Sequence, residues 1–373
     1  MTREELNKYL TALIKYEGSD LHIKSGNGVK IRVQGKLLSM ESPHLTREDV
    51  IELLKIILRS RFEELVQNKE IDFNYKLNEE YRFRGNAFFQ IDGPSIVFRV
   101  IPSKIPTIES LKMPEILHDF AKTERGLVLV TGVTGSGKST TLAAIINEIN
   151  MTKSKHIITI EDPVEFVHKD KKCLINQRSL GEDTLSFSRA LRAALREDPD
   201  IILVGEMRDR ETIEIALHAA ETGHLVFSTL HTIDAKETIN RIIGVFPVDE
   251  QDRIRMVLAS VLEGVVSQRL VPTVDGKRTA AMEILVKTPR IKDLILQKRE
   301  NELKDVIEEG KETYKTQSFD QHLVDLVIQG IVDEKVAIDY ATSKDDFILK
   351  LKKAKLENGQ EVVEESKIGL KES

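Results

Sequence analysis

Cysteine is nearly absent: Cys173 is the sole one in 373 residues. A single cysteine excludes an internal disulfide framework and a four-cysteine zinc site, and it fits a reducing compartment. Long apolar runs are missing as well. No stretch approaches the roughly 20 apolar residues a membrane span needs, so any membrane role must come through a partner, without direct insertion. The opening residues, MTREELNKYLTALIKYEGSDLHI, are charged and amphipathic and lack a signal-peptide core. Positive charge is not in excess, the formal net charge being −6. Aromatic residues make up only 5%, and no basic strip interleaved with them stands out. Both features argue against gripping nucleic acid through its phosphates. What is present, 40% hydrophobic and 31% charged residues, describes a globular chain long enough for two domains.

The pattern changes along the chain. Residues 3–16 carry Leu6, Leu10, Leu13 and Ile14 at helical spacing. VKIRVQGKLL alternates like a half-buried strand, with Gly35 marking a hairpin turn. TREDVIELLKIIL predicts a helix with Thr46 as N-cap and Asp49 three residues on. IDFNYKL, YRFRGNAFFQI and SIVFRVI read as strands, so residues 1–101 form a small α+β domain. Three prolines, at 102, 106 and 114, mark 102–119 as a linker. Beyond it GLVLVTG, HIITIED, DIILVGE and HLVFSTL are continuous apolar runs separated by helical segments. Such strands are buried on both faces, as in an α/β sheet with helix crossovers. Residues 120–356 are read as this second domain, mostly helical from about 285 in RIKDLILQ, FDQHLVDLVIQG and DDFILKLKKAK. The polar segment 357–373 is expected to be disordered.

GVTGSGKS, residues 132–139, matches the phosphate-loop pattern G-x-x-x-x-G-K-[ST]. Gly135 and Gly137 let backbone N–H groups turn toward phosphate oxygens. Lys138 offers a point charge to the β- and γ-phosphates, and Ser139 a hydroxyl to Mg²⁺. A strand precedes the loop and a helix follows, whose positive end adds to the cradle. Nucleotide binding is accordingly assigned to Thr134, Gly135, Ser136, Gly137, Lys138, Ser139 and Thr140. DIILVGE places Glu206 at the end of an apolar strand, where it holds the metal or, in the plainer reading, caps a nearby helix. ITIEDPVEF ends a strand with Glu161, Asp162 and Glu165. Glu161 follows the strand immediately and is best placed to orient the attacking water; otherwise all three are loop acids pairing with arginines.

HLVFSTLHT sets a histidine at each end of one apolar run. Seven steps at about 3.3 Å put His224 and His231 roughly 20 Å apart, too far for one metal. In a parallel sheet His231 lies at the carboxyl edge with Lys138, Glu161 and Glu206, to sense the γ-phosphate or to serve as a structural histidine. His224 lies at the far edge, in a structural or subunit-interface role. Arg82 and Arg84 share one strand face, and Arg99 follows on the next strand. Arg189, Arg192 and Arg196 fall on one helix face. Solvated, acid-paired surfaces are the bland reading of both groups.

These stretches resemble the type IV pilus retraction ATPases (PilT-like) of the secretion and pilus motor superfamily. The resemblance covers residues 1 to about 352 and rests on SDLHI, RFRGNAFFQ, FRVIPSKIPTIESL, TGVTGSGKSTTLAA, ITIEDPVEFVH, ALRAALREDPDIILVGEMRD, AAETGHLVFSTLHT and TQSFDQHL. It implies a PAS-like N-terminal domain joined to a RecA-like ATPase domain, α/β overall, in a homohexameric ring. It implies Mg²⁺-dependent ATP hydrolysis with Glu161 as the catalytic glutamate, beside Glu206 and His231. It makes Arg82, Arg84 and Arg99 phosphate contacts, and Arg192, Arg196 and His224 inter-subunit coupling residues. It further implies a cytoplasmic motor, peripheral at the inner-membrane pilus machine, that docks on a platform protein, drives pilin back into the membrane for twitching motility, and works beside a paralogous motor. Leu191 stands where isoleucine is usual, SGNGVKIRV is less proline-rich than the family's turn, and the tail has no assigned role. The assembly branch usually carries a long N-terminal extension and a four-cysteine zinc insertion, neither seen here. Pilus assembly, nucleic-acid translocation and an accessory, partner-dependent paralogue are the competing readings.

Overall fold

The computed structural model describes residues 1–359 apart from Glu79 and Ser103; of the tail 357–373, residues 360–373 lie outside the described residues. The chain divides into two compact units. The first comprises Met1–Ile105 together with Pro163–His168 and Ser179–Leu185. The second comprises Pro106–Asp162, Lys169–Arg178 and the chain from Ser186 onward.

In the first unit, two helices start where their caps require. Thr2 caps Arg3–Lys15 in a reciprocal box with Glu5, and Thr46 caps Arg47–Leu58 with Asp49. Each box satisfies backbone N–H groups that the helix cannot satisfy itself. Leu6, Leu10 and Leu13 are fully buried, as their spacing predicts. They pack with Leu53, Leu54, Phe83, Ile96 and Phe98 into the unit's core. The sheet has six strands: β1 (Asp20–Lys24), β2 (Lys30–Val33), β3 (Lys36–Ser39), β4 (Glu70–Lys76), β5 (Arg82–Gln90) and β6 (Gly93–Ile101). Their order is β3-β2-β1-β6-β5-β4, every neighbouring pair antiparallel. Gln34 and Gly35, with φ of 46° and 80°, make the two-residue turn between β2 and β3.

The second unit is built on seven strands: β7 (Gly126–Thr131), β8 (His156–Glu161), β9 (Leu174–Ser179), β10 (Ile201–Val204), β11 (Leu225–Leu230), β12 (Leu262–Pro272) and β13 (Arg278–Val286). Their order is β13-β12-β7-β11-β10-β8-β9. The run from β12 through β8 is parallel, and β13 is antiparallel to β12. β7, β10 and β11 are buried at every position, as continuous apolar runs demand. β9 and the β12–β13 hairpin are not evident from the sequence pattern. The segment 102–119 does not behave as a free linker: Ile108, Ile116 and Leu117 are buried in the core of the second unit. The helices Pro289–Leu296, Phe319–Ile328 and Lys344–Glu357 form where expected. Among the described residues no helix is long and apolar enough to cross a membrane.

Candidate active site

Because β7, β11, β10 and β8 are parallel neighbours, their carboxyl ends line one edge of the sheet, where ligands bind in open α/β sheets. The loop after β7 is Gly132–Gly137. Gly132, Gly135 and Gly137 have φ of 144°, 78° and 90°, which side-chain-bearing residues rarely adopt. A Cβ on Gly132 would lie 2.5 Å from both the Gln268 carbonyl oxygen and Ser136 Oγ. Gly137 is the N-cap of the helix Lys138–Thr152 and supplies no side-chain hydrogen bond to it, so the positive end of the helix faces the loop without a capping side chain. Lys138 is buried and its Nζ donates to the carbonyls of Gly132 (2.8 Å) and Val133 (3.2 Å). Ser136 Oγ is buried with no partner among the described residues. A cationic amine, a partnerless buried hydroxyl and an uncapped helix start fit a nucleotide's phosphates. Ser139 and Thr140 lie half-buried in the helix's first turn.

The acids stand next along the edge. Glu161 ends β8, and its Oε1 accepts from Thr159 Oγ1 (2.6 Å) and Gln177 Nε2 (3.3 Å). A Cβ on Gly205 would sit 3.1 Å from Glu161 Cα, so glycine there lets the exit of β10 lie close against Glu161. Glu206 follows. Its Oε2 accepts from Arg208 at 2.7 Å and lies 3.3 Å from His231 Nε2. Burial raises the Glu206 pKa, but the hydrogen bond from Arg208 and the proximity of His231 outweigh it, and the carboxyl is held below its ordinary value. Arg208 is correspondingly raised by that bond. Thr134 Oγ1 lies 3.4 Å from His231 Nδ1. His231 therefore touches the phosphate loop on one side and Glu206 on the other. Thr159, Gln177 and Arg208 are parts of this arrangement that sequence reading missed. Only Arg208, two residues after Glu206, left a local signal.

His224 precedes β11 at the opposite edge. Its Nδ1 lies 2.9 Å from the Ala219 carbonyl, at the end of the helix Arg210–Glu221. Arg82, Arg84 and Arg99 belong to the first unit, Arg84 standing directly opposite Arg99. Arg99 Nε donates to buried Asp20 at 2.8 Å, while Arg84 lies 4.0 Å from Asp72. Burial raises the pKa of Asp20, but hydrogen bonds from Ser19 and Arg99 pull it below the usual range. Arg189, Arg192 and Arg196 are all exposed, yet they do not share one helix. The helix Phe187–Ala194 ends before Arg196. Asp198 takes φ of 53° ahead of Pro199, and the residue before a proline is disfavoured in helix. Arg196 instead donates to the Arg192 carbonyl at 3.0 Å, and Arg192 pairs with Glu211 at 2.5 Å.

A family profile described as "Type II/IV secretion system protein" matches residues 1–365. The chain belongs to this type II/IV secretion system family. Among its members the "Type IV pilus retractation ATPase PilT" of Pseudomonas aeruginosa is 47% identical, over 92% of this chain and 100% of that one. The "Type IV pilus ATPase PilU" of the same organism is 41% identical, over 93% of this chain and 91% of its own length. A crystal structure of the pilus retraction motor PilT with bound ADP superposes with a TM-score of 0.83 at 41% identity, covering 91% of this chain and 98% of that one. The second unit is thus the RecA-like P-loop ATPase domain of a type II/IV secretion system protein, and the first its smaller PAS-like α+β domain.

Proposed function

We propose that this ATP-hydrolysing enzyme powers type IV pilus retraction, and with it twitching motility, as a Mg²⁺-dependent homohexamer. The observation that carries the reading is the alignment with PilT over that protein's whole length, with a phosphate loop, two carboxylates and a histidine along one sheet edge. Thr134 through Thr140 cradle the phosphates, and Lys138 leaves its loop carbonyls for the β- and γ-phosphates. Ser139 and Glu206 are the residues to hold Mg²⁺, which when bound supplies charge against the phosphates. Glu161, fixed by Thr159 and Gln177, orients and deprotonates the attacking water. His231 hydrogen-bonds the γ-phosphate and passes its presence to Glu206. Arg82, Arg84 and Arg99 complete the phosphate contacts, and Arg192, Arg196 and His224 couple neighbouring subunits. Domains 1–101 and 120–356 are proposed as chain-order boundaries, with 102–119, whose Ile108, Ile116 and Leu117 are buried in the second unit, as the connection. The ring sits on the cytoplasmic side, at an inner-membrane platform protein.

A second type IV pilus ATPase, PilU, is also similar to this chain, and a second reading is therefore an accessory motor that works beside another one. Counting surface pili and measuring motility in a strain lacking this gene separates the two. Excess pili without motility is the expected result. Normal pili and motility would point to a redundant or accessory role or to a different substrate, and bald cells would mean assembly. In vitro, Lys138→Ala is expected to abolish ATP turnover.

A further inference from the structure

We infer that Gln268 is a positioning residue for ATP hydrolysis, one that sets the shape of the phosphate loop from the neighbouring strand. Gln268 lies on β12, parallel to the loop's own strand β7, where Ser267 pairs with Thr131. Its side chain is almost fully buried. The amide Nε2 donates to the Ser136 carbonyl at 2.6 Å, and Oε1 accepts from Thr141 Oγ1 at 2.9 Å. A carbonyl can only accept, which fixes which end of the amide faces Ser136. One side chain therefore ties the crown of the loop to the first turn of the helix behind it.

The consequence follows from peptide geometry. In a trans peptide the C=O and N–H point in opposite directions. Holding the Ser136 carbonyl toward Gln268 aims the N–H of Gly137 the other way, toward the space the loop encloses. Gly137 itself approaches closely, since a Cβ there would come within 3.1 Å of Gln268 Nε2. Gln268 is in turn held from both sides. β12 pairs with β7 and with β13. The next residue, Arg269, lies over the Phe319 ring at 3.9 Å and donates to the Tyr340 carbonyl at 3.3 Å. Adjacent residues of β12 thus hold the phosphate loop and the C-terminal helices.

The inference rests on reading 132–140 as the phosphate loop, so Lys138→Ala is measured alongside. The variants are Gln268→Leu, which removes both bonds, and Gln268→Glu, which keeps the acceptor for Thr141 but sets an oxygen against the Ser136 carbonyl. ADP affinity by calorimetry, KM and kcat for ATP, and the melting midpoint without nucleotide are read for each. Loss of a buried hydrogen bond that shapes the loop is expected to weaken ADP binding and raise KM by about tenfold, with kcat falling less. A lowered melting midpoint with unchanged ADP affinity and KM would mean a purely structural role and overturn the inference. If the Gln268 variants do not fold, Thr141→Val is expected to weaken ADP binding and Thr141→Ser to preserve it; equal affinities for the two overturn the inference. Lost affinity in Lys138→Ala with intact affinity in Gln268→Leu defeats this inference alone. Intact affinity in Lys138→Ala defeats the phosphate-loop reading with it.

Discussion

Both site carboxylates are held by neighbouring side chains, and the roles proposed for them differ. Glu206 is engaged by Arg208 and His231, both suited to keeping it ionised for a metal. Glu161 is oriented by a hydroxyl and an amide. Glu161→Gln is therefore expected to keep nucleotide affinity while kcat falls by roughly 100-fold or more, the usual worth of a general base; equal loss of ADP affinity, read by calorimetry, would count against the assignment. A third carboxylate lies outside the site. Glu283 is buried on β13, and its Oε1 accepts from the Ala235 N–H at 2.8 Å. Burial, with Asp234 adding and the Ala235 N–H, Arg269 and Lys304 opposing, pushes it up from 4.5 to about 7. The folded chain holds this proton more tightly than the unfolded chain. Its contribution to stability is complete below 4.5 and is withdrawn as pH rises through about 7, by up to about 3 kcal/mol. Glu283→Gln keeps the acceptor and does not titrate, so its melting midpoint should gain on the parent as pH is raised from about 6 to about 8. Parallel midpoints would show that Glu283 does not titrate there. Lys138, Glu161, Glu206 and His231 were legible in the sequence because each sits in, or at the end of, a locally patterned strand or loop. Gln268, Thr159 and Gln177 were not: they matter through side chains they meet only in the fold, and a lone Thr or Gln carries no local pattern.

At the scale of elements, β7, β8, β10 and β11 were readable as apolar runs with clear boundaries. β12 was not, for a physical reason. The helix Val248–Val261 passes into β12 at Leu262 with no glycine or proline between them, so nothing punctuates the change of period. Ser267, Gln268 and Arg269 then interrupt the apolar run where the strand serves the phosphate loop. β5 gives the opposite lesson, since its glycine is a packing device inside a readable strand. Gly85 lies beneath the Phe73 ring, and an added Cβ would fall well inside contact distance of three ring atoms. Phe73 in turn meets Phe98 edge-on, with ring centroids 5.7 Å apart, so it has little room to retreat. Gly85→Ala is expected to destabilise the first unit by about 1–3 kcal/mol, the common cost of overpacking. Phe73→Leu in the same chain should recover part of the loss. A denaturation midpoint unchanged by Gly85→Ala would mean that the ring moves freely.

At the scale of the whole molecule, the division into units departs from chain order. Residues 163–168 and 179–185 fall within the second domain in sequence but in the first unit in space. Long-range contacts place the segment 179–185: Glu182 accepts from the Asn74 backbone N–H and side-chain amide, and lies 3.4 Å from Arg61. Periodicity reports on neighbours in the chain, so it cannot reveal such pairings. The same limit applies between subunits, and the proposed ring needs a test that local patterns do not offer. Arg192 and Arg196 are exposed, as an arginine that serves a neighbouring subunit has to be. If each subunit's turnover depends on the next, inactive subunits poison active ones. Mixing Glu161→Gln chains, which still bind nucleotide, into wild-type rings should then reduce ATP turnover more steeply than the wild-type fraction falls. Arg192→Ala chains should do the same while their own sites still bind ADP. Turnover that declines in simple proportion in both mixtures would describe six independent sites, and would remove the coupling role from these arginines.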